Sequence, residues 1–385
     1  MPRARSRLLA AVMLGALLAG SCSQAPSRES LGLGDWDAVV AAAQGQTVDW
    51  WLFGGDDRIN GYIDDHVVAA AADLGVTLRR VPVSDTADAV QQVLAEQEAG
   101  VAEGSVDLIW INGENFAIGK QAGLWLEDWA PTLPNARLLD PSTILEDFGV
   151  PIEGQESPWS RAAFVFAHDA ARLPEPPATF ADLLEHARAN PGRVTYPAPP
   201  DFTGSAFVRQ VVQALGEDEA FEFLAELRPL SWRGGTTFPA NEAELNRLFG
   251  DGQVDIAMSY DPAFVASGVA RGTFPATARP FVMDHGVLQN ASHVTIPGNA
   301  ADVEGALVIA NLLLDPALQA VKADPAVLGV PTVLDLARLE GSARALFDQL
   351  ASSPLLLVSL RPALAELPVD RVEALERRWR DEILP

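Results

Sequence analysis

From Thr47 onward the chain alternates short apolar runs with amphipathic stretches of helix length, and this alternation restricts the fold more than any other feature. "TVDWWLF" has the β-branched and aromatic content of a short strand, and "GGDDRIN" reads as a loop. "GYIDDHVVAAAADLG" sets its apolar residues at helical spacing and stops at Gly75. "VTLRRVPV" is strand again, "TADAVQQVLAEQEAG" a helix closed by Gly100, and "VDLIWI" a third strand. A βαβαβ order predicts parallel strands with right-handed crossovers, because a parallel return needs a connection of helix length.

A second α/β set follows. "SPWSRAAFVFAHD" predicts one long strand, "RVTYPAPP" another and "VDIAMSY" a buried one. Between them lie helices over "FADLLEHARA", capped by Thr179, and over "DFTGSAFVRQVVQALG", "DEAFEFLAELRPL" and "NEAELNRLFGDG". "RPFVMDHGVLQNASHVTIP" has strand character at both ends, and "ADVEGALVIANLLLDPALQAVKA" is a helix pair broken at Pro316. The tail from Gly341 to Arg380 reads as helices. A chain of 385 residues predicts about two to three domains.

Charge narrows the partners. The formal net charge is −25, with 52 acids against 27 bases, so duplex nucleic acid is excluded as a partner, for phosphate binding needs clustered Lys and Arg. Arg3, Arg5 and Arg7 precede the apolar run "LLAAVMLGALLAG", which is too short and too near the terminus for a membrane span and reads as an export signal over residues 1–22. Cys22 is the sole cysteine, so no intramolecular disulfide can form. "SQAPSRESLGLG" begins a flexible tether taken to run over 23–46.

"LAGSC" resembles the lipobox of bacterial lipoproteins, with Ala19 where that family usually has Leu; the resemblance implies lipidation of Cys22 and a membrane anchor in the cell envelope. Four further stretches resemble, in order, the extracellular solute-binding proteins of bacterial ABC importers. They are "DLIWINGENFAIGKQAGLW", "TFADLLEHARANPGRVTYPAPPDFTGSAF", "NEAELNRLFGDGQVDIAMSY" and "HVTIPGNAADVEGALVIANLLLDPALQA". The run "WINGENF" is similar to the YnjB-type branch. The resemblance implies an α/β, two-lobed, periplasmic-binding-protein-like type II fold. In it each lobe is a mostly parallel sheet flanked by helices, and two crossover strands form the hinge. The N-terminal lobe would comprise 47–158 and 287–340, the C-terminal lobe 159–286, with the helices of 341–385 packed on both. It also implies a monomer that carries a small-molecule solute to the permease and ATPase subunits of an importer, without a cofactor.

In open α/β sheets, ligands lie beyond the carboxyl ends of strands. This places Trp51, Gly54, Gly55 and Asp56, and then Asn112, Glu114, Asn115 and Phe116, on one side of a cleft. Glycines allow close backbone approach and the acids suit a cation. Asp56 or Asp57 equally suits the cap of the next helix, and Asn112 and Gly113 suit a plain turn. Thr203, Gly204 and Ser205 open a helix, where N–H groups and hydroxyls favour an anion or simply form a cap. Trp232, Tyr260 and Asp261 would pair aromatic walls with a carboxylate, which suits an organic ammonium group, although Trp232 serves equally well as core. Polyamine-binding relatives carry an aromatic and an acid where Asn290 and Ser292 stand here, which argues against a polyamine. Iron-binding relatives use tyrosine pairs, whereas Tyr62, Tyr196 and Tyr260 are far apart in sequence. The expected solute is small, polar or cationic, with thiamine-like compounds as one candidate.

The histidines (His66, His168, His186, His285, His293) show no metal-ligand spacing, so no metal site is expected; His66 and His186 read as surface residues and His285 as a hinge or cleft residue. An envelope hydrolase using cleft carboxylates such as Asp56 and Glu114 is the alternative. It lacks support from any GxSxG or SxxK motif.

Overall fold

The computed structural model describes residues 35–384 except Asp56, Ser84, Val358, Ser359 and Arg361. The export signal, Cys22 and residues 23–34 of the expected tether lie outside the described residues. The described end of that span is helical, which corrects the tether's length. In α1 (Trp36–Ala42), Asp35 accepts a hydrogen bond from the Ala38 amide and Val39 is buried in the core that follows. Its apolar residues recur at helical spacing, so the segment docks.

β1 (Thr47–Phe53) leads through α2 (Asp57–Tyr62) and a π-helical turn into α3 (Val68–Asp73), then β2 (Thr77–Val83), α4 (Thr86–Glu98), β3 (Leu108–Ile111) and α5 (Gly113–Gln121). β2 and β3 both pair parallel with β1, as the βαβαβ pattern predicts. Val48, Trp50 and Leu52 alternate along β1 and are buried on one face, each such burial stabilising by about 1.5–3 kcal/mol or more. On that face Trp159 receives Trp50 and Trp110 edge-to-face, at centroid distances of 5.5 and 5.1 Å.

A short hairpin of β4 (Glu146–Asp147) and β5 (Val150–Pro151) precedes β6 (Glu156–Ala163) and β7 (Val165–Asp169). The single strand expected over 157–169 is thus two strands in two different sheets. Phe164, where it breaks, still donates to the Leu288 carbonyl at 2.8 Å. β7 is the centre of the second sheet.

The second lobe continues with α6 (Phe180–Ala189), α7 (Phe202–Leu215), α8 (Glu217–Leu227), α9 (Glu242–Gly250), β8 (Ile256–Ser259), α10 (Phe264–Ala270) and β9 (Ala278–Phe281). Thr179 and Asp182 make a reciprocal capping box at the start of α6. β8 and β9 flank β7, both antiparallel, so the mostly parallel arrangement holds for β1 to β3 and not here. "RVTYPAPP" joins no ladder. It runs extended, Val194 accepting from Trp232 and Arg193 from Asp255, but Pro197, Pro199 and Pro200 have no N–H to offer a neighbour.

β10 (Val287–Thr295) returns to the first sheet, antiparallel to β6 and, at its far end, to β3. α11 (Val303–Leu312) and α12 (Pro316–Ala323) cover that lobe. The tail is not wholly helical. α13 (Gly341–Leu350) sets Phe347 in the first core, β11 (Ala363–Leu364) pairs parallel with the start of β10, and α14 (Val369–Glu382) sets Leu375 and Trp379 in the second core. Among the described residues each lobe therefore has a main core, with a smaller third cluster under α4 in the first lobe, and the crossings β6 to β7 and β9 to β10 join the lobes. Among the described residues no single helix is long and apolar enough to cross a membrane.

Candidate functional site

Because β10 is antiparallel to β3 and continues beyond it to residue 287, the carboxyl ends of β1 and β3 point toward the second lobe. Two hollows lie between the lobes. One of about 210 Å3 is lined by Arg58 from α2 and by Glu242, Asn246, Asp261 and Phe264 from the second lobe. The other, about 200 Å3, includes Asn290 and Ala291 of the β10 crossing, with Glu146, Phe148 and Gly149 from the first lobe and Ala363 to Glu366 from the tail. A larger hollow of about 840 Å3 shares Ser142, Arg161, Gln289 and Ala363 with it and extends the groove along the hinge. The charges there are already spent internally: Arg161 pairs with Asp140 at 3.0 Å and donates to the Thr332 carbonyl.

On the first-lobe rim, Gly54 and Gly55 follow β1; Gly54 needs to be glycine for space against Pro82, whereas at Gly55 only the exposed Phe53 ring would have to swing aside. A Cβ would come within 2.6 Å of Pro82 at Gly54 and within 2.3 Å of the Phe53 ring at Gly55. Asp56 lies outside the described residues. Trp51 is not at the tip: it lies within β1, donates Nε1 to the Ser105 carbonyl at 3.3 Å and packs beneath α4. Asn112 caps α5 by its backbone geometry alone, Glu114 is exposed in the first turn, and Asn115 is half-buried. Phe116 is fully buried and belongs to the core under α4, which leaves it no face for a solute. Gly113 has φ of +58°, a left-handed conformation that favours glycine, and its N–H donates to Asp147.

On the second-lobe rim the expected anion site is already satisfied from within. Asp201 caps α7, accepting from the Thr203 and Gly204 amides at 3.0 Å. The Thr203 hydroxyl donates to Glu242 and the Ser205 hydroxyl to Glu376. This corrects the anion reading: an ordinary helix N-terminus attracts negative charge, and here the chain's own carboxylates have taken it. Burial foremost, and then the negative charge of Asp201, raise the Glu242 pKa, against hydrogen bonds from Thr203, Ser259 and Asn246.

Tyr260 is nearly buried, meets the exposed Phe202 ring at a tilt with centroids 5.3 Å apart, and donates its hydroxyl to Glu366 at 2.6 Å. Burial and the Glu366 charge push its pKa well up. Asp261 lines the hollow of about 210 Å3 beside Arg58 and caps the turn at Ala263. Trp232 packs at the edge of the second core beneath the Arg233 guanidinium, 4.0 Å away. Asn290 and Ser292 share one face of the crossing ribbon with Ala162 and Ser160; Asn290 is half-buried and Ser292 buried. His285 stacks on Phe180 at the second core, so it is not a cleft residue, and His186 is held by Asp255 at 3.1 Å. His293, by contrast, stands beside Asp147 and Glu156, an arrangement that no sequence spacing suggested.

Sequence reasoning missed several rim residues: the exposed rings of Phe53 and Phe202, Arg58, Glu242, Phe148 and Glu366. Phe53 and Phe202 each stood next to a chosen residue and signalled themselves only as aromatics at an element's end. Glu366 lies 106 positions from Tyr260, and nothing local marks it.

The chain matches the family described as "Bacterial extracellular solute-binding protein" over residues 67–343. It belongs to that family. Protein YnjB of Escherichia coli (strain K12) is 39% identical over 366 residues, covering 90% of this chain and 93% of that one. Among solved structures, an ABC transporter protein from Clostridium perfringens aligns with a TM-score of 0.60 at 14% identity, covering 87% of this chain and 98% of the other. A periplasmic thiamin binding protein aligns at 0.56 and 17%, covering 88% and 96%. At such identities these likenesses carry the fold, which is the two-lobed type II architecture. As a family member this solute-binding protein serves an ABC importer outside the cytoplasmic membrane, taking up a small molecule for a permease and its ATPase.

Proposed function

We propose that this solute-binding protein captures a small organic cation between its lobes and presents it to the permease in the closed form. The observation that carries the reading is the second-lobe rim. Asp201 and Glu242 take up the amides and the Thr203 hydroxyl at the start of α7, Glu242 and Asp261 line the hollow of about 210 Å3, and the exposed Phe202 ring lies against Tyr260, next to Asp261. Aromatic faces with nearby carboxylates attract ammonium and thiazolium-like groups through cation–π and ion-pair terms. Arg58 and Arg271 line the same hollow, Arg58 donating to the Leu328 carbonyl, and Glu114 adds an exposed acid on the opposite rim. Of the residues chosen from sequence, Gly54, Gly55, Asn112, Glu114, Asn115, Asp261 and Asn290 remain our solute-contacting set. Phe53, Phe202 and Glu242 join it.

A thermal-shift screen of the mature protein tests this with thiamine, choline, spermidine, amino acids, sugars, phosphate and citrate. A cation held at 100 times its Kd should stabilise by about 2.7 kcal/mol. Stabilisation by anions or sugars with none by cations overturns the reading, and turnover of any compound would revive the hydrolase. We further propose that Cys22 is acylated and that the protein acts as a monomer. Cys22→Ser should release it from the membrane fraction, and size exclusion should return one chain.

A further inference from the structure

We propose that Asp147, Glu156 and His293 bind one divalent transition-metal ion, zinc or manganese, buried in the first lobe behind the cleft wall. Their donor atoms lie within 4.8 Å of one another and all three residues are buried. Both oxygens of Glu156, Oδ1 of Asp147 and Nδ1 of His293 have no hydrogen-bond partner among the described residues. One such atom costs about 1–3 kcal/mol, and more when charged, so a buried cluster that leaves four of them unpartnered around three close donor atoms calls for something between them.

His293 and Asp147 are each anchored on the outer side and open on the inner side, while both oxygens of Glu156 are open. His293 Nε2 meets the Thr143 carbonyl at 3.1 Å, which makes it the N–H donor and leaves the Nδ1 lone pair facing Glu156 Oε1 at 3.8 Å. That is the tautomer and outer hydrogen bond of a metal-bound imidazole. The second oxygen of Asp147 accepts from the Gly113 amide. The charges also call for an ion. The nearest base, Lys120, is committed to the Pro151 carbonyl and to Glu153 at 2.8 Å, leaving two carboxylates and a neutral imidazole that a divalent ion would neutralise. Nitrogen and carboxylate ligands suit zinc or manganese, and tetrahedral bonds of about 2.0–2.2 Å place ligand atoms roughly 3.4 Å apart, a few tenths closer than His293 and Glu156 stand.

The ion would tie the β4–β5 hairpin, β6 and β10 together and, through Gly113, the start of α5. Phe148, next to Asp147, lines the cleft hollow and packs on Gly113, so the clip would hold the first-lobe wall. In the absence of an ion, protons would have to fill its place. Burial lifts the Asp147 carboxyl to about 7 and the Glu156 carboxyl well up, and lowers His293 to about 4.

The test uses the purified mature chain after chelator treatment, titrated calorimetrically with zinc and with manganese, with metal content read by mass spectrometry and Tm recorded. One equivalent should bind with a rise in Tm, and Glu156→Gln and His293→Gln should each weaken binding at least about tenfold. The solute-induced thermal shift should persist in both variants, which separates this proposal from the cation reading of the cleft. Absence of stoichiometric binding and of any Tm change in the wild-type chain overturns it. So does binding of equal affinity in the variants, which would assign the metal to surface carboxylates.

Discussion

Glu366→Gln probes the contact that ties the tail to the second wall of the cleft. Arg209 of α7 donates Nε to Glu366 at 2.9 Å and Nη2 at 3.2 Å, the Tyr260 hydroxyl donates at 2.6 Å, and the two charged side chains are only 5% and 3% exposed. The glutamine keeps the shape and an acceptor for Tyr260 but turns an amide toward the guanidinium and leaves the Arg209 charge buried and unpaired. Removing one member of a buried pair costs about 3–5 kcal/mol, because the stranded charge keeps its desolvation penalty. At about 3 °C per kcal/mol for a cooperative unit of lobe size, Tm should fall by roughly 9–15 °C. Arg209→Met combined with Glu366→Gln removes both charges and should recover most of the loss, giving a coupling of at least about 2 kcal/mol in a double-mutant cycle. Urea unfolding followed by tryptophan fluorescence and circular dichroism measures all four forms. A Glu366→Gln chain within about 1 kcal/mol of wild type would refute the reasoning, since the tail would then not depend on this pair.

Other expectations follow from the same geometry. Gly204→Ala puts a Cβ 2.0 Å from the Pro197 carbonyl oxygen, so the start of α7 must shift; a loss of about 1–3 kcal/mol in urea unfolding is expected, and a wild-type midpoint would contradict it. Asp201→Ala strips the cap of α7 and should cost about 0.5–2 kcal/mol, with phosphate or citrate partly restoring the Tm by binding the freed amides. Glu242 has a raised folded pKa, so the folded state holds its proton to higher pH than the unfolded chain. Its contribution to stability is full below the unfolded value and is lost as pH rises through the folded one. A bound cation favours the ionised form, so affinity should drop as pH falls through that same range, and Glu242→Gln should flatten the profile in calorimetric titrations.

Much of the fold is legible in the letters because local periodicity and tertiary burial agree there. β1 to β3 and their helices follow from alternation and from closing glycines, and α6 announces itself through Thr179 and Asp182. Where the sequence misled, a longer-range term prevailed. Residues 157–169 have unbroken strand character, yet pairing with β10 on one side and with β8 and β9 on the other divides them at Phe164. The tail looked helical throughout, but an open edge of β10 recruits Ala363 and Leu364 into a strand.

The site was legible as positions and not as roles. Strand tips and helix starts could be located, but whether Phe116 faced a solute or a core depended on its burial under α4, and whether the amides of Thr203 and Gly204 were free depended on the Asp201 carboxylate that accepts from both. The amino-acid sequence by itself determined the α/β architecture, the excess of acid and the single cysteine, since these rest on local spacing and composition. Only the tertiary structure decided which carboxylates meet. Glu366 beside Tyr260, and His293 beside Asp147 and Glu156, come from contacts between residues more than a hundred positions apart, and no local propensity encodes such a separation.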